Sequence, residues 1–425
     1  MSASTNTAHT FKKHSNSTGV KTMRASVLVD VGRLEVRDVP QPQISARDVL
    51  VRVAAVGICG TDTHIFAGHS NYNTDNRGLP IPLTVEPQIL GHEVNGYVAE
   101  KGSEVSDLEI GDHVAIDQGL NCVSVGRKPL CEYCQTGDSH QCEFYREHGI
   151  TGLPGGLAEF IAVPSVNAVP VRSGLDAAEA ALVEPLGCII HSCEAVAKAQ
   201  TRYAINADSP ERCVRTVLIC GAGPAGLLFT QYLRRVLNYD GLLLVSAPSE
   251  WKRKFAKDFG ADEVLDAGDP DLANLLKEKT EGRGAEYLIE ASGAGRVIAS
   301  LPGLMRKQST VLLYGHGHAG VDLSVLNNVM FREPTLITPV GASGGFESDG
   351  RPSTYARALR LLEEHKIEVA PIITHRYTSL NALQAALEKD MRAPNYLKGV
   401  VTLPIEAGSL EFNPGVPAQA ARVGW

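Results

Sequence analysis

Apolar β-branched runs and segments of helical period alternate through the middle of the chain. Val217, Leu218 and Ile219 form a short apolar run ending at Gly221, and residues 227–237 then repeat at helical spacing. Strand-like runs recur at 242–245, 263–265, 287–290 and 310–314, separated by helical-period segments such as 250–259 and 272–280. This alternation predicts an α/β fold with a doubly wound parallel sheet. Before it, residues 23–56 alternate apolar and polar positions, which predicts antiparallel strands. After it, STYARALRLLEEHKIEVAPIITHRY reads as a helix followed by a strand, and KGVVTLP as a final strand.

The first strand-to-helix turn carries GAGPAG. With the spacing Gly221, Gly223, Gly226, the first glycine permits the turn, the second lets backbone approach a pyrophosphate, and the third lets helix pack on strand. Three glycines alone also fit an ordinary turn; the surrounding βαβ rhythm is what points to a dinucleotide. Readers of this kind usually carry an acid at the end of the second strand to hold the ribose hydroxyls. Here the stretch is LLLVSAPSEWKRK, with Ala247 at that place. No carboxylate repels a 2′-phosphate, and Ser246, Ser249, Lys252 and Arg253 stand nearby, so both NAD and NADP stay open. The alternative is that Lys252 and Arg253 form a solvated helix start.

Three segments offer metal ligands. GICGTDTHIFAG supplies Cys59, Thr61, Asp62 and His64; ILGHEVNGYV supplies His92 and Glu93; ALVEPLGCIIHSCEAV supplies Glu184 at the start of a helical pattern. A lone Cys or His is commonly a packed core residue, and a carboxylate beside a helix-starting proline is commonly a helix-terminal charge. Cys188 or Cys193, further along the same helix, is an alternative to Glu184. Between these segments NCVSVGRKPLCEYCQTGDSHQC gathers Cys122, Cys131, Cys134 and Cys142 in one turn-rich loop. Four thiolates can close a tetrahedral zinc site with no open position. Buried free cysteines are the alternative, but Arg127, Lys128, Asp138 and Gln141 make the loop too polar for a core.

Composition narrows the field. At 425 residues the chain is long enough for two domains. A net charge of −8 gives no reason to expect a nucleic-acid surface, and no apolar run is judged to approach the roughly 20 residues of a membrane helix. Neither partner is expected. Residues 1–22, rich in Ser, Thr, Asn, His and Lys, read as a flexible tail without the apolar core of a secretory signal, and scarce Arg argues against a mitochondrial presequence. Nine cysteines, four of them clustered, suit zinc in a reducing compartment, so a cytoplasmic location is expected.

Taken in order, GICGTDTH, GHE, CEYCQTGDSHQC, GGLAEF, EPLG and GAGPAG resemble the zinc-dependent medium-chain dehydrogenases, most closely their sorbitol, threonine and sugar dehydrogenase branch, over residues 23–404. The resemblance implies a GroES-like catalytic domain at 23–185 with a structural zinc lobe at 119–143. A Rossmann domain follows at 186–337, a return segment of the catalytic domain at 338–404, and a tail at 405–425. It implies two zinc ions per chain: a catalytic one on Cys59, His92 and Glu184, and a structural one on Cys122, Cys131, Cys134 and Cys142. Glu93 would approach the metal or stand behind its ligands, Asp62 would orient the ligand histidine, and Thr61 and His64 would relay the proton. The implied reaction is hydride transfer between a secondary hydroxyl of a polyol or sugar and NAD or NADP, with zinc as the Lewis acid that eases loss of the hydroxyl proton. A homodimer or homotetramer is implied as well.

Three departures stand out. Eight residues, VSVGRKPL, separate Cys122 from Cys131 where family members usually have two. The segment 70–89, SNYNTDNRGLPIPLTVEPQI, is longer than usual and is expected at the rim of the substrate cleft or at a subunit contact. Ala247 replaces the usual acid. Two further readings remain: threonine or another alcohol as substrate, and a non-redox zinc and nicotinamide enzyme such as a lyase or dismutase. A non-catalytic nucleotide-binding scaffold would have no use for an open metal site.

Overall fold

The computed structural model describes residues 21–342 and 344–405. Both sequence tails beyond these bounds, with Trp425, lie outside the described residues.

The middle of the chain forms a six-stranded parallel sheet in the order Glu263–Asp266, Leu242–Ala247, Thr216–Cys220, Ala285–Glu290, Met305–Leu313, Thr335–Ile337. Thr216–Cys220 is central and buried along its whole length, which is why its sequence runs apolar without alternation. Val217, Ile219, Val245 and Ile289 pack on one face with Leu227, Phe229 and Leu233, while Leu218, Leu244, Leu288 and Val311 pack on the other with Leu276, Leu301 and Leu304. The strand order reverses between Thr216–Cys220 and Ala285–Glu290, so a crevice opens at the carboxyl ends of these two strands, where GAGPAG lies.

The rest of the described chain builds a second, mostly antiparallel β unit. Its main sheet runs Ala168–Pro170, His113–Ile116, Glu93–Lys101, Asp48–Ile58, Lys398–Thr402, Ile373–Tyr377, with Phe160–Pro164 also pairing Asp48–Ile58. A smaller sheet joins Arg33–Pro40, Thr22–Asp30 and Gln88–Ile89. The strand Lys398–Thr402 returns after the parallel sheet and pairs antiparallel to Asp48–Ile58, with Gly399 opposite Ile58. Alternating residues of these strands, among them Val49, Val51, Val53, Val94, Val98 and Val401, close one core.

Helix Val183–Lys198 sits between the two units and packs against helix Ser353–Glu363. The run Ala177–Lys198 is long and apolar enough to cross a membrane by length and composition. This corrects the expectation that no run approaches that length. Most of its side chains are buried inside the protein: Leu186, Ile189 and Ile190 are fully enclosed in the core of the parallel-sheet unit.

Candidate functional site

The strand Asp48–Ile58 ends one residue before Cys59, the N-cap of helix Gly60–Phe66. The Asp62 carboxylate accepts from the Cys59 backbone N–H at 2.8 Å and from the Gly91 N–H at 3.1 Å. One buried carboxylate thus ties together the two segments that carry Cys59 and His92. It also lies 3.5 Å from His92 Nδ1, both side chains being almost wholly buried. Burial opposes charge on either group, but Asp62, followed by Cys59, carries the His92 imidazole well above its ordinary value, and His92 with the hydrogen bonds lowers Asp62.

Cys59, His92 and Glu93 present donor atoms that all lie within 4.8 Å of one another. Glu93 opens the strand Glu93–Lys101 opposite Gly57. A Cβ at Gly57 would stand 1.9 Å from Glu93 Oε2, so only glycine there leaves room for the carboxylate. Glu93 Oε1 accepts from Lys398 Nζ at 2.5 Å, while Oε2 is buried without a hydrogen-bond partner. A half-buried thiol, a buried imidazole and a buried, unpartnered carboxylate oxygen converging on one point suit zinc, because binding the ion offsets the desolvation of the buried donors.

Glu184 stands next to this cluster and outside it. Its Oε1 accepts from Gln118 Nε2 at 3.1 Å and from the Cys188 thiol at 3.3 Å. Burial raises its carboxyl to about 7, with His92 lowering it and Glu93 raising it further. Gln118 also accepts from the Tyr355 hydroxyl at 2.5 Å. Sequence reasoning missed Lys398 and Gln118. The signal for Lys398 was available as a lone cation opening an apolar final strand; Gln118 had none.

Thr61 Oγ1 lies 3.7 Å from the Cys59 sulfur. His64, on the same helix, is ringed by His316 and His69, with centroids at 5.0 and 5.9 Å. Burial first, then those two imidazoles, lower its pKa from the ordinary 6.5.

At the glycine turn, Gly221 has φ +119°, and a Cβ at Gly226 would sit 1.9 Å from the Gly221 carbonyl oxygen. Gly223 caps helix Pro224–Gln231 and faces open space, which leaves the helix N-terminus free for an anion. Ser246 and Ala247 are buried at the end of their strand, and Ser249 caps helix Glu250–Asp258. Arg253 is no solvated helix start: its Nη1 donates to the Ala247 carbonyl at 2.7 Å and lies 3.3 Å from Asp266, with the side chain only 16% exposed. Lys252 is partly buried, which lowers its pKa.

In the polar loop, Cys122, Cys131, Cys134 and Cys142 bring their sulfurs within 4.8 Å of one another. Cys142 Sγ lies 3.6 Å from Cys122 Sγ and 3.7 Å from Cys131 Sγ. Tetrahedral zinc–sulfur bonding places sulfurs about 3.8 Å apart, so these separations fit one ion, and the long spacing between Cys122 and Cys131 is absorbed by the intervening turn.

Residues 45–173 match the family described as alcohol dehydrogenase GroES-like domain, and residues 224–364 match the family described as zinc-binding dehydrogenase. The chain is 30% identical to L-threonine 3-dehydrogenase of Pyrococcus furiosus over 83% of its length and 89% of the relative's. It is 28% identical to sorbitol dehydrogenase of Halalkalibacterium halodurans, over 82% and 90% of the two chains. Among solved structures, a zinc-binding dehydrogenase from Sinorhizobium meliloti 1021, crystallised with NADP, superposes with a TM-score of 0.72 at 28% identity, covering 90% of this chain and 99% of the other.

Proposed function

The chain belongs to the zinc-binding medium-chain dehydrogenases, zinc- and NAD(P)-dependent oxidoreductases, and from that premise we propose that it oxidises a secondary hydroxyl of a polyol or sugar, or reduces the matching ketone. The observation that carries this reading is the convergence of Cys59, His92 and Glu93, with Glu93 Oε2 buried and unpartnered, in one chain with an open Gly223 helix terminus. Cys59, His92 and Glu93 hold the catalytic zinc in this proposal. Glu184 stands beside them, and burial pushes its carboxyl up to about 7. When bound, zinc supplies Lewis acidity to the substrate hydroxyl and NAD(P) accepts the hydride.

The chain's own residues do the rest. Asp62 holds His92 and the Cys59 backbone in register, Lys398 fixes Glu93, and Thr61 and His64 carry the proton from the substrate hydroxyl towards solvent. A His64 kept neutral by burial and by its two imidazole neighbours is ready to accept that proton at neutral pH. The relatives named for threonine support an amino alcohol as the second substrate class.

We also propose a homo-oligomer formed through the outer edge of the parallel sheet. Strand Thr335–Ile337 ends the sheet, and Leu323, Met330, Phe331, Leu336 and Val340 beside it are 45–77% exposed. An unpaired strand edge flanked by apolar side chains suits pairing with a second copy of itself.

The test is nicotinamide reduction by the purified protein, with NAD and NADP in parallel, across polyols, aldoses, inositols and threonine, before and after treatment with a zinc chelator. Turnover of a polyol or sugar that the chelator abolishes supports the reading. Turnover of threonine alone moves the substrate to the second class, and silence in protein holding two zinc ions rejects redox chemistry on this panel.

A further inference from the structure

The segment 70–89, long for this family, does not hang free. Asn71 Nδ2 donates to the Ile81 carbonyl at 2.7 Å, Asn73 Nδ2 donates to Glu86 at 3.0 Å, and the Ile81 N–H donates to the Asn73 carbonyl at 2.8 Å. A Cβ at Gly152 would stand 2.3 Å from Asn73 Oδ1, so the segment is pressed against the β unit. Tyr72, between the two asparagines, is therefore presented by a fixed frame.

A second frame faces it from the parallel sheet. Buried Glu290 accepts from the Ser292 and Gly293 N–H groups at 2.8 and 3.0 Å, and its Oε2 lies 2.7 Å from His318 Nε2. A Cβ at Gly293 would stand 2.2 Å from the His316 carbonyl oxygen. His316 is thus held by the loop pair that follows strands Ala285–Glu290 and Met305–Leu313.

The two frames meet at one hydrogen bond: the Tyr72 hydroxyl lies 3.0 Å from His316 Nε2. The His316 ring in turn sits edge-on to His64, with centroids 5.0 Å apart. We propose that Tyr72 and His316 form a latch between the 70–89 segment and the parallel sheet that holds the His64 ring in its relay position. Both are positioning residues, and the inference rests on the role given to His64 above. The titratable groups facing His64 are His69 from the turn after its own helix and His316 from the sheet, with Tyr72 behind His316.

The latch makes a specific kinetic demand. Loss of one such hydrogen bond corresponds to about a threefold to tenfold effect, and it falls on kcat with substrate KM little changed, because neither residue needs to touch substrate for the latch to act. Tyr72→Phe and His316→Ala each lower kcat by that factor, and the double variant is no worse than the poorer single, as expected of a single unit. His316→Gln, which keeps an amide for the tyrosine hydroxyl, restores most of the rate. In His316→Ala the acid limb of the pH profile moves up towards 6.5, the ordinary histidine value. Multiplying effects in the double variant, or an unmoved acid limb, overturn the latch. If His64→Asn leaves the acid limb in place, the relay role itself fails, which is a separate result.

A readout without turnover is site-resolved labelling of the intact protein with diethyl pyrocarbonate. His316 is exposed but its Nε2 is engaged by Tyr72, so it labels at least threefold faster in Tyr72→Phe than in the wild type; equal rates overturn the latch whatever the substrate proves to be.

Discussion

Lys398 Nζ and Glu93 Oε1 are 2.5 Å apart, with side-chain exposures of 5% and 1%. Burial works against the ammonium, but Glu93 and Cys59 raise its pKa, so Lys398 stays charged. Removing one partner of a buried pair costs roughly 3–5 kcal/mol because the other charge is left uncompensated. Lys398→Met is therefore expected to destabilise zinc-stripped protein by about that amount. Zinc-loaded protein should lose less, since the ion takes over the compensation of Glu93. Denaturant midpoints of both forms test this, and equal losses with and without zinc would place Glu93 away from the metal.

Gly57→Ala tests the same carboxylate sterically. The new Cβ would fall 1.9 Å from Glu93 Oε2 and must push it aside. Zinc content by elemental analysis is expected to fall from two ions per chain towards one, with the four-cysteine lobe still loaded. Retention of two ions and full activity would remove Glu93 from the ligand set and return the place to Glu184.

Acid should weaken the fold before any carboxylate titrates normally. Burial holds His113 at about 4, with Asp176 opposing, and burial with the neighbouring His140 and Lys198 holds His191 at about 4. Both start from 6.5, so the unfolded chain binds more protons than the native one between pH 6.5 and 4, and stability falls as pH falls through that window. Unfolding near pH 5 is expected to take up about two protons from this pair alone. Denaturant midpoints from pH 7 to 4.5, at constant slope, test it. His113→Gln, which keeps a polar group for Asn95 Oδ1 at 3.0 Å, should flatten the curve.

The proposed subunit contact predicts a change of mass. Phe331 is 77% exposed beside the terminal strand Thr335–Ile337. Phe331→Glu is expected to shift the protein from an oligomer to a monomer by light scattering while leaving both zinc sites filled. An unaltered oligomer would direct attention to another surface.

The parallel sheet was legible because its central strands are buried on both faces and separated by helical-period runs, a pattern that survives without tertiary information. The four cysteines were legible for a related reason: thiols have few uses in a polar loop. The choice between Glu93 and Glu184 was not. The resemblance places Glu184 in the ligand set with Glu93 beside it, and what favours Glu93 in the proposal, its register against Gly57 and the bonds of Gln118 and Cys188 to Glu184, exists only in the folded chain. Arg253 was similarly opaque, because its bond to the Ala247 carbonyl and its pairing with Asp266 depend on adjacent strands of the sheet. Lys398 could be noticed as a lone cation opening the final strand, but its partner lies more than three hundred positions away and no local pattern names it.

That separation has a consequence for the order in which the protein is made. Cys59, His92 and Glu93, the groups proposed to hold the metal, leave the ribosome early, yet the cation that pairs with Glu93 arrives on strand Lys398–Thr402, which must also find its place beside Asp48–Ile58. Synthesis at roughly 5–20 residues per second puts tens of seconds between the two events. During that interval the emerging half-domain carries an open strand edge and an unbalanced carboxylate. One late strand closes that edge and balances that carboxylate, so completing the sheet and neutralising the site are a single event.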